Sequence, residues 1–549
     1  MLSGSETKLL NLRFTNQLNI RTMTKSIEIN RITKRALILC LVTLGCTSVK
    51  SQNCGLPNVR CVDDTPGPNQ EYATLQLAAD ASQPGDTILV FDGTYVGFQQ
   101  NNSGSTIALI TFKTVGLNAH INTPCPTGDG IRLQNVSNVV IDGFNIRNTT
   151  QRGIAARGAT ATSPMSNLTI KNITIRNTQG EGIYVSQVSN SLVENNSIDS
   201  VGIVNSTHGI YLANAGSDNT ILKGNTISNT GAAGIHCNGD LSVGGDGLIS
   251  NIVIERNKIF NVVDKGISFD GVQNSTIANN LVYTNTTHCL RGYQVDGAAG
   301  PLNLKIINNT FVVLGLTTGS YPLRLTADLG GHVFFNNILI NNSTNGGSIT
   351  VDNLNFSSNN NICSNRLSSD GGVTVTNLAT WQTNTGQDNA SMTSTPTLLF
   401  INPATNDYHL TNTSPAINFG LASFASYSAP TVDLDLNTRP QSFGYDAGCY
   451  EFLSPTAVQQ EQLTTNVNIY PNPGNGKFHV VVTDFVYRKS NLDVYDNLEV
   501  YDLLGASVYR SVITDPVSEI DLSSLANGSY VIKIYTDRGI TTRKIVIQK

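Results

Sequence analysis

The stretch GIYVSQVSNSLVENNSIDSVGIVNSTHGIYLANAGSDNTILKGNTIS, residues 182–228, decides the fold. It holds two copies of each of two patterns. Gly182–Ser186 and Gly209–Ala213 open on glycine and then alternate, so Ile183 and Val185, like Ile210 and Leu212, face one way while Tyr184 and Tyr211 face the other. Val193 to Ile198 and Leu222 to Ile227 set two apolar residues five apart, with Asn196 and Asn225 in fourth place.

Outward from there, the second pattern recurs at Ile141, Ile170, Val193, Leu222, Ile254, Ile277, Ile306 and Phe334, at intervals of 29, 23, 29, 32, 23, 29 and 28 residues. The glycine-led pattern recurs at Gly153, Gly182, Gly209, Gly234 and Gly266, and continues without glycine at Cys289-Leu290. Two or three short strands in each such period predict a parallel β-helix, whose coils bury their apolar faces only against their neighbours. Asn196, Asn225, Asn257, Asn280, Asn309 and Asn337 then stand one coil apart, about 4.8 Å. A ladder that satisfies buried backbone groups is the preferred reading of these residues over sugar binding.

Composition agrees with stacking. Of 549 residues only 13% are Asp, Glu, Lys or Arg. Uncharged Asn, Thr and Ser can stack against copies of themselves, whereas like charges opposite each other repel. A hydrophobic share of 39% and a net charge of −5 exclude disorder. The same charge offers no basic footprint for nucleic acid. So much Asn, Thr, Gly, Ile and Val argues against a helical bundle.

Residues 1–51 read as a presequence. Arg31, Lys34 and Arg35 precede the apolar run 36–45, and Val49-Lys50-Ser51 is a small-x-small cleavage site, the pattern of a secretory signal. A start at Met23 gives the usual length, and Cys46 leaves a lipoprotein reading open. No other stretch is apolar enough to span a membrane. Seven cysteines follow the cleavage site; Cys54 with Cys61 would close a short loop, and Cys237 falls at an inward position.

The segment EYATLQLAADASQPGDTILVFDGTY, residues 71–95, resembles the entrance of pectin-lyase-like right-handed β-helix proteins. The resemblance implies a short helix capping the first coil and a right-handed parallel β-helix over 52–393. Residues 236–259 and 270–280 also resemble secreted bacterial β-helix proteins. Residues 394–453, with DYHL at 407–410, SPAINFG at 414–420 and DLDLNTRPQSFGYDAGCYEF at 433–452, resemble the choice-of-anchor-Q closing segment of surface proteins. A cap on the solenoid is expected there, with Asp433, Asp435 and Asn437 spaced like a cation loop.

A Gln-rich linker, 454–465, leads to 466–549, where short alternating strands broken by PNPGNG, Leu-Gly and Asn-Gly turns predict a small β-sandwich. Its YPNP opening, internal YDLLG and basic last strand resemble the sorting domain of type IX secretion substrates. That resemblance implies engagement of the type IX machinery, passage through the periplasm, a secreted or outer-surface location, and removal of the domain there. A carbohydrate-binding sandwich is the other reading. The fold expected is therefore all-β, a solenoid followed by a small sandwich, and monomeric.

Pectin-lyase-like enzymes use grooves along stacked outward side chains. Lyases of that kind abstract a proton beside a uronate carboxylate with Lys or Arg, often with Asp-bound calcium; hydrolases need a carboxylate pair. The outward row here reads Tyr184, Tyr211, His236, Ser268 and Arg291, and the next Ser186, Ala213, Asn238, Asp270 and Tyr293; Glu181, His208, Ala233, Lys265 and His288 precede the strands. The row suits an acidic polysaccharide, with Tyr184, Tyr211, Tyr293, His208, His236 and His288 as contacts. Lys265 is the candidate base, Arg291 the group that holds the carboxylate or assists the leaving group, and Asp240, Asp246 and Asp270 candidate Ca2+ ligands. Interaction with polysaccharide is the expected function, with uronate lyase chemistry left open; a non-catalytic adhesin or glycan-binding solenoid and a solvated face of a structural protein are the alternatives.

Overall fold

A computed structural model describes Cys54, residues 56–284, 287–315, 319–453 and 467–549, the last stretch without 483–495, 504, 514, 516, 537 and 538. The expected presequence 1–51, with the expected start at Met23, and the expected linker 454–465 lie outside the described residues. Each coil contributes one strand to each of three sheets, two of twelve strands and one of eleven. In one coil these are Leu192–Glu194, Ser197–Val201 and Ile210–Ala213, defining the first, second and third sheets. Every pairing within the three sheets is parallel, and inward residues fall in line, as Ile183, Ile210, Ile235, Ile267 and Leu290 do. They fill one continuous apolar column. Glycine leads the third strands because a Cβ at Gly209 would lie 2.4 Å from Ile227 Cγ2 and 2.6 Å from the Gly234 carbonyl.

The asparagine ladder runs one rung further than the sequence pattern. Asn196 Nδ2 donates to Asn225 Oδ1 at 2.9 Å, and the bond repeats at 2.9–3.0 Å through Asn257, Asn280, Asn309 and Asn337 to Asn361. Each Oδ1 also accepts a backbone N–H, as Asn225 does from Asn196 at 3.1 Å. The ladder ends on Asp388, which accepts from Asn361 Nδ2 at 3.0 Å and from Trp381 Nε1 at 2.9 Å.

The helix Leu75–Ala81 closes one end with Leu75, Ala78 and Ala79 in the column. The other end is closed by the helix Leu378–Thr385, whose Trp381 ring centre lies 5.5 Å from that of Phe356. The closing segment therefore does not sit over the end of the stack. It runs back along the side, where Phe400, Tyr408, Leu410 and Tyr450 pack on Leu281, Tyr283, Val312 and Ile338. Left-handed asparagines fasten it: Asn279, Asn308, Asn336 and Asn360 donate to the carbonyls of Val432, Asp446, Leu421 and Phe419 at 2.6–2.9 Å. The expected cation loop divides here. Asp433 is fully buried and accepts from the N–H groups of Asn437 and Glu451 at 2.8 and 2.9 Å, whereas Asp435 holds His409 Nε2 at 2.8 Å.

On the first sheet one outward row alternates in charge: Lys113, Asp142, Lys171, Glu194, Lys223 and Glu255 are successive partners. Lys171 reaches Asp142 at 3.6 Å and Lys223 reaches Glu194 at 3.0 Å. Cys54 and Cys61 form a disulfide, and Cys125, Cys237, Cys289, Cys363 and Cys449 are free and buried. The C-terminal domain pairs an antiparallel three-stranded sheet, Val467–Tyr470, Lys477–Val482 and Val517–Asp521, with a four-stranded one, around its own core.

Candidate functional site

Strand pairing on the third sheet aligns Tyr184, Tyr211, His236, Ser268 and Arg291, and beside them Ser186, Ala213, Asn238, Asp270 and Tyr293. The rows exist, but their members are engaged in ways that spacing does not reveal. Tyr184 is not an open platform: the Arg152 and Arg157 guanidiniums lie 4.6 and 4.7 Å from its ring centre. Its edge meets Tyr211 at 5.6 Å. Burial pushes the Tyr211 hydroxyl up to about 12, and Asn238 Nδ2 donates to it at 3.5 Å.

The histidines belong chiefly to the stack. His208 Nδ1 accepts the N–H of Ala233 at 3.2 Å, and His288 Nδ1 that of Tyr321 at 3.1 Å. Each therefore serves the next coil's backbone. His208 stacks on His236 at 4.6 Å. Burial, reinforced by His236, lowers His208 to about 3; burial and then Lys265 lower His236 to about 4. Burial, then Arg324 and Arg291, lower His288 to about 3. All three are neutral at pH 7, so none supplies a cation to an acidic ligand.

Lys265 Nζ is engaged by the carboxylate of its neighbour Asp264 rather than standing open to the row. Asp270 is 1% exposed, and its oxygens accept the N–H groups of Val295, Asp296 and Gly297 at 2.9, 2.8 and 3.1 Å. It holds a turn. Asp240 accepts from Ser242 N at 2.9 Å and Asp246 from Leu248 N at 3.0 Å, each in its own turn. The three carboxylates form no shared centre, and among the described residues no three His, Cys, Asp or Glu side chains are grouped to hold a metal ion.

Arg291 lies 4.4 Å over the Tyr293 ring and directly opposite Arg324 on the next strand. Its Nε is buried with no hydrogen-bond partner among the described residues. At the other end Arg132 is in register with Ala155, and Arg157 with Ser186. Arg132 pairs with Asp129 at 3.1 Å and Arg152 with Glu181 at 2.9 Å. Arg132, Arg157 and Arg324 were absent from the candidate rows, although Arg132 and Arg324 continue the row of Tyr184 and Arg291 in its two directions and Arg157 continues the row of Ser186. Gly130-Ile131-Arg132 repeats the glycine-led pattern one coil earlier and was the available signal. Tyr321-Pro322-Leu323-Arg324 lacks the glycine and hides the continuation.

Residues 96–245 match the family described as right handed beta helix region, and residues 468–548 that described as secretion system C-terminal sorting domain. No curated protein matches the chain in sequence. Among solved structures, the pectate lyase Pel9A is 16% identical over 72% of this chain and 96% of its own, with a TM-score of 0.47. PfbA, a surface adhesin of Streptococcus pneumoniae, is 15% identical over 53% of this chain and 78% of its own, with a TM-score of 0.39. The periplasmic alginate epimerase AlgG is 15% identical over 44% of this chain and 57% of its own, with a TM-score of 0.33. No helix among the described residues is long and apolar enough to cross a membrane.

Proposed function

We propose that this chain, a right-handed parallel β-helix directed to the cell surface or beyond by a type IX sorting domain, binds an acidic polysaccharide along its third sheet. The observation that carries the reading is Arg291 opposite Arg324 on neighbouring strands. Like charges so placed are destabilising, and on its first sheet the chain alternates sign instead. Neither arginine has an ion-pair partner among the described residues. A uronate carboxylate between two guanidiniums would form charge-assisted hydrogen bonds to both. Strands repeating at about 4.8 Å present such groups to a polymer that is itself periodic.

Binding is favoured over lyase chemistry because the proposed base, Lys265, is held by Asp264 and the proposed calcium ligand Asp270 is occupied by backbone donors. The test is calorimetric titration of the full chain with polygalacturonate, alginate and a neutral glucan. Binding of the acidic polymers alone, weakening as salt is raised, is expected. The double substitution Arg291→Gln with Arg324→Gln should weaken it at least tenfold and leave the unfolding midpoint unchanged or higher. No binding of either acidic polymer sinks the reading. Release of unsaturated, ultraviolet-absorbing chain ends that Lys265→Ala abolishes would replace it with the lyase.

A further inference from the structure

The unpaired cations of the third sheet are gathered at two places. At one end Arg152 and Arg157 enclose the Tyr184 ring, and Arg152 is neutralised by Glu181 at 2.9 Å. Arg157 therefore remains as the unpaired charge of that group. At the other end Arg291 lies over Tyr293 at 4.4 Å and Arg324 over Tyr321 at 5.6 Å, both without an ion pair among the described residues. The two ends share a second property: the Nε atoms of Arg157 and Arg291 are buried without a hydrogen-bond partner among the described residues. A guanidinium laid on a tyrosine ring is oriented before any ligand arrives. A buried donor left unsatisfied is costly until an acceptor reaches it.

The strands between offer no unpaired cation among the described residues. They present Tyr211, His236 and Ser268, with both histidines of the stack neutral. Lys265 is paired with Asp264, and the adjoining wall carries Asp296, whose carboxylate accepts from Asn238 Nδ2 at 3.1 Å. This stretch does not attract an anion. From the strand of Arg157 to that of Arg291 there are five strand-to-strand steps, or about 24 Å.

Resting on the acidic-polysaccharide reading, we infer that the third sheet carries two separate anion subsites, one at Arg157 and one at Arg291–Arg324, and selects uronate chains long enough to occupy both. A short oligomer engages either subsite alone. In a longer one the second contact becomes intramolecular, which raises affinity by about 10²-fold or more when the chain matches the span.

Size-defined oligogalacturonates, from the dimer upward, titrated into the full chain test this. Short oligomers should bind weakly, two per protein. Above a threshold length the stoichiometry should fall to one as affinity steps up by about 10²-fold. Arg157→Gln should return long oligomers to short-oligomer affinity and reduce the number of short oligomers bound from two to one; Arg157→Lys should restore part of the step. One oligomer per protein at every length, a smooth rise in affinity, or indifference of long oligomers to Arg157→Gln overturns the two-subsite inference while leaving polysaccharide binding standing. Absence of binding by any oligomer or by the polymer overturns both.

Discussion

Asp270 and His409 show what single residues contribute here. In sequence, Asp240, Asp246 and Asp270 look like ligands converging on an ion; the donors that occupy Asp270 come from residues 295–297, which no local spacing connects to it. Tyr184 misleads for the same reason, since its covering arginines come from the preceding coil. His409, part of the DYHL segment at 407–410 but given no role there, is clamped by Asp435 at 2.8 Å and Asp407 at 2.6 Å and stacks on Tyr450 at 4.0 Å. The bond to Asp435, against some loss of hydration and with help from Asp407, raises it from 6.5 to about 9. Its folded value is the higher one, so the stabilisation from this clamp is fully present below pH 6.5 and is lost as pH rises through about 9. Thermal unfolding between pH 6 and pH 10 should show a midpoint falling across that window, and His409→Gln should remove that component of the fall. A midpoint whose pH dependence is the same in the variant excludes this role.

At the scale of the element, two devices keep parallel strands in register. One is the Asn-Asn turn, in which a left-handed first residue faces outward and the second enters the ladder, as at Asn279-Asn280 and Asn308-Asn309. This was largely legible, because the inward Asn is framed by apolar residues. The last rung was not, because Ser358 stands where the frame calls for an apolar residue and Asn361 escapes the pattern. The other device is the alternating row from Lys113 to Glu255. It was illegible because its members are 23 to 32 residues apart and only the strand pairing makes them neighbours. Lys171→Glu would place three carboxylates in succession, Asp142, residue 171 and Glu194. A loss of about 1 kcal/mol is expected at low ionic strength, from pair terms of about 0.2–1 kcal/mol on each side, largely recovered in 1 M salt. Denaturant unfolding at the two salt concentrations measures it; a loss insensitive to salt rules out the electrostatic origin.

At the scale of the whole molecule, the stack is unevenly supported. Coils from Asn279 to Asn360 are fastened to the returning segment and share an apolar seam with it, and Arg439 ties the segment's own Glu451 to Asn279. Coils before Asn279 rely on their neighbours and on the helix Leu75–Ala81. In a stack whose stability is a sum of neighbour terms, opening starts where those terms are fewest. The five free cysteines among the described residues make this observable, because they are buried at well-separated points along the chain. Each is a clock that starts only when the structure around it opens, a coil of the stack or, for Cys449, the seam with the returning segment. Under pulsed alkylation in mild denaturant, Cys125 and Cys237 should be labelled before Cys289, Cys363 and Cys449, and mass spectrometry of the peptides would read the sequence of events; simultaneous labelling of all five would mean that the solenoid opens as one unit. Three of these thiols, Cys237, Cys289 and Cys363, fill the column as small apolar groups, and together with Cys125 and Cys449 they record, in the order of their chemistry, the path by which the molecule comes apart.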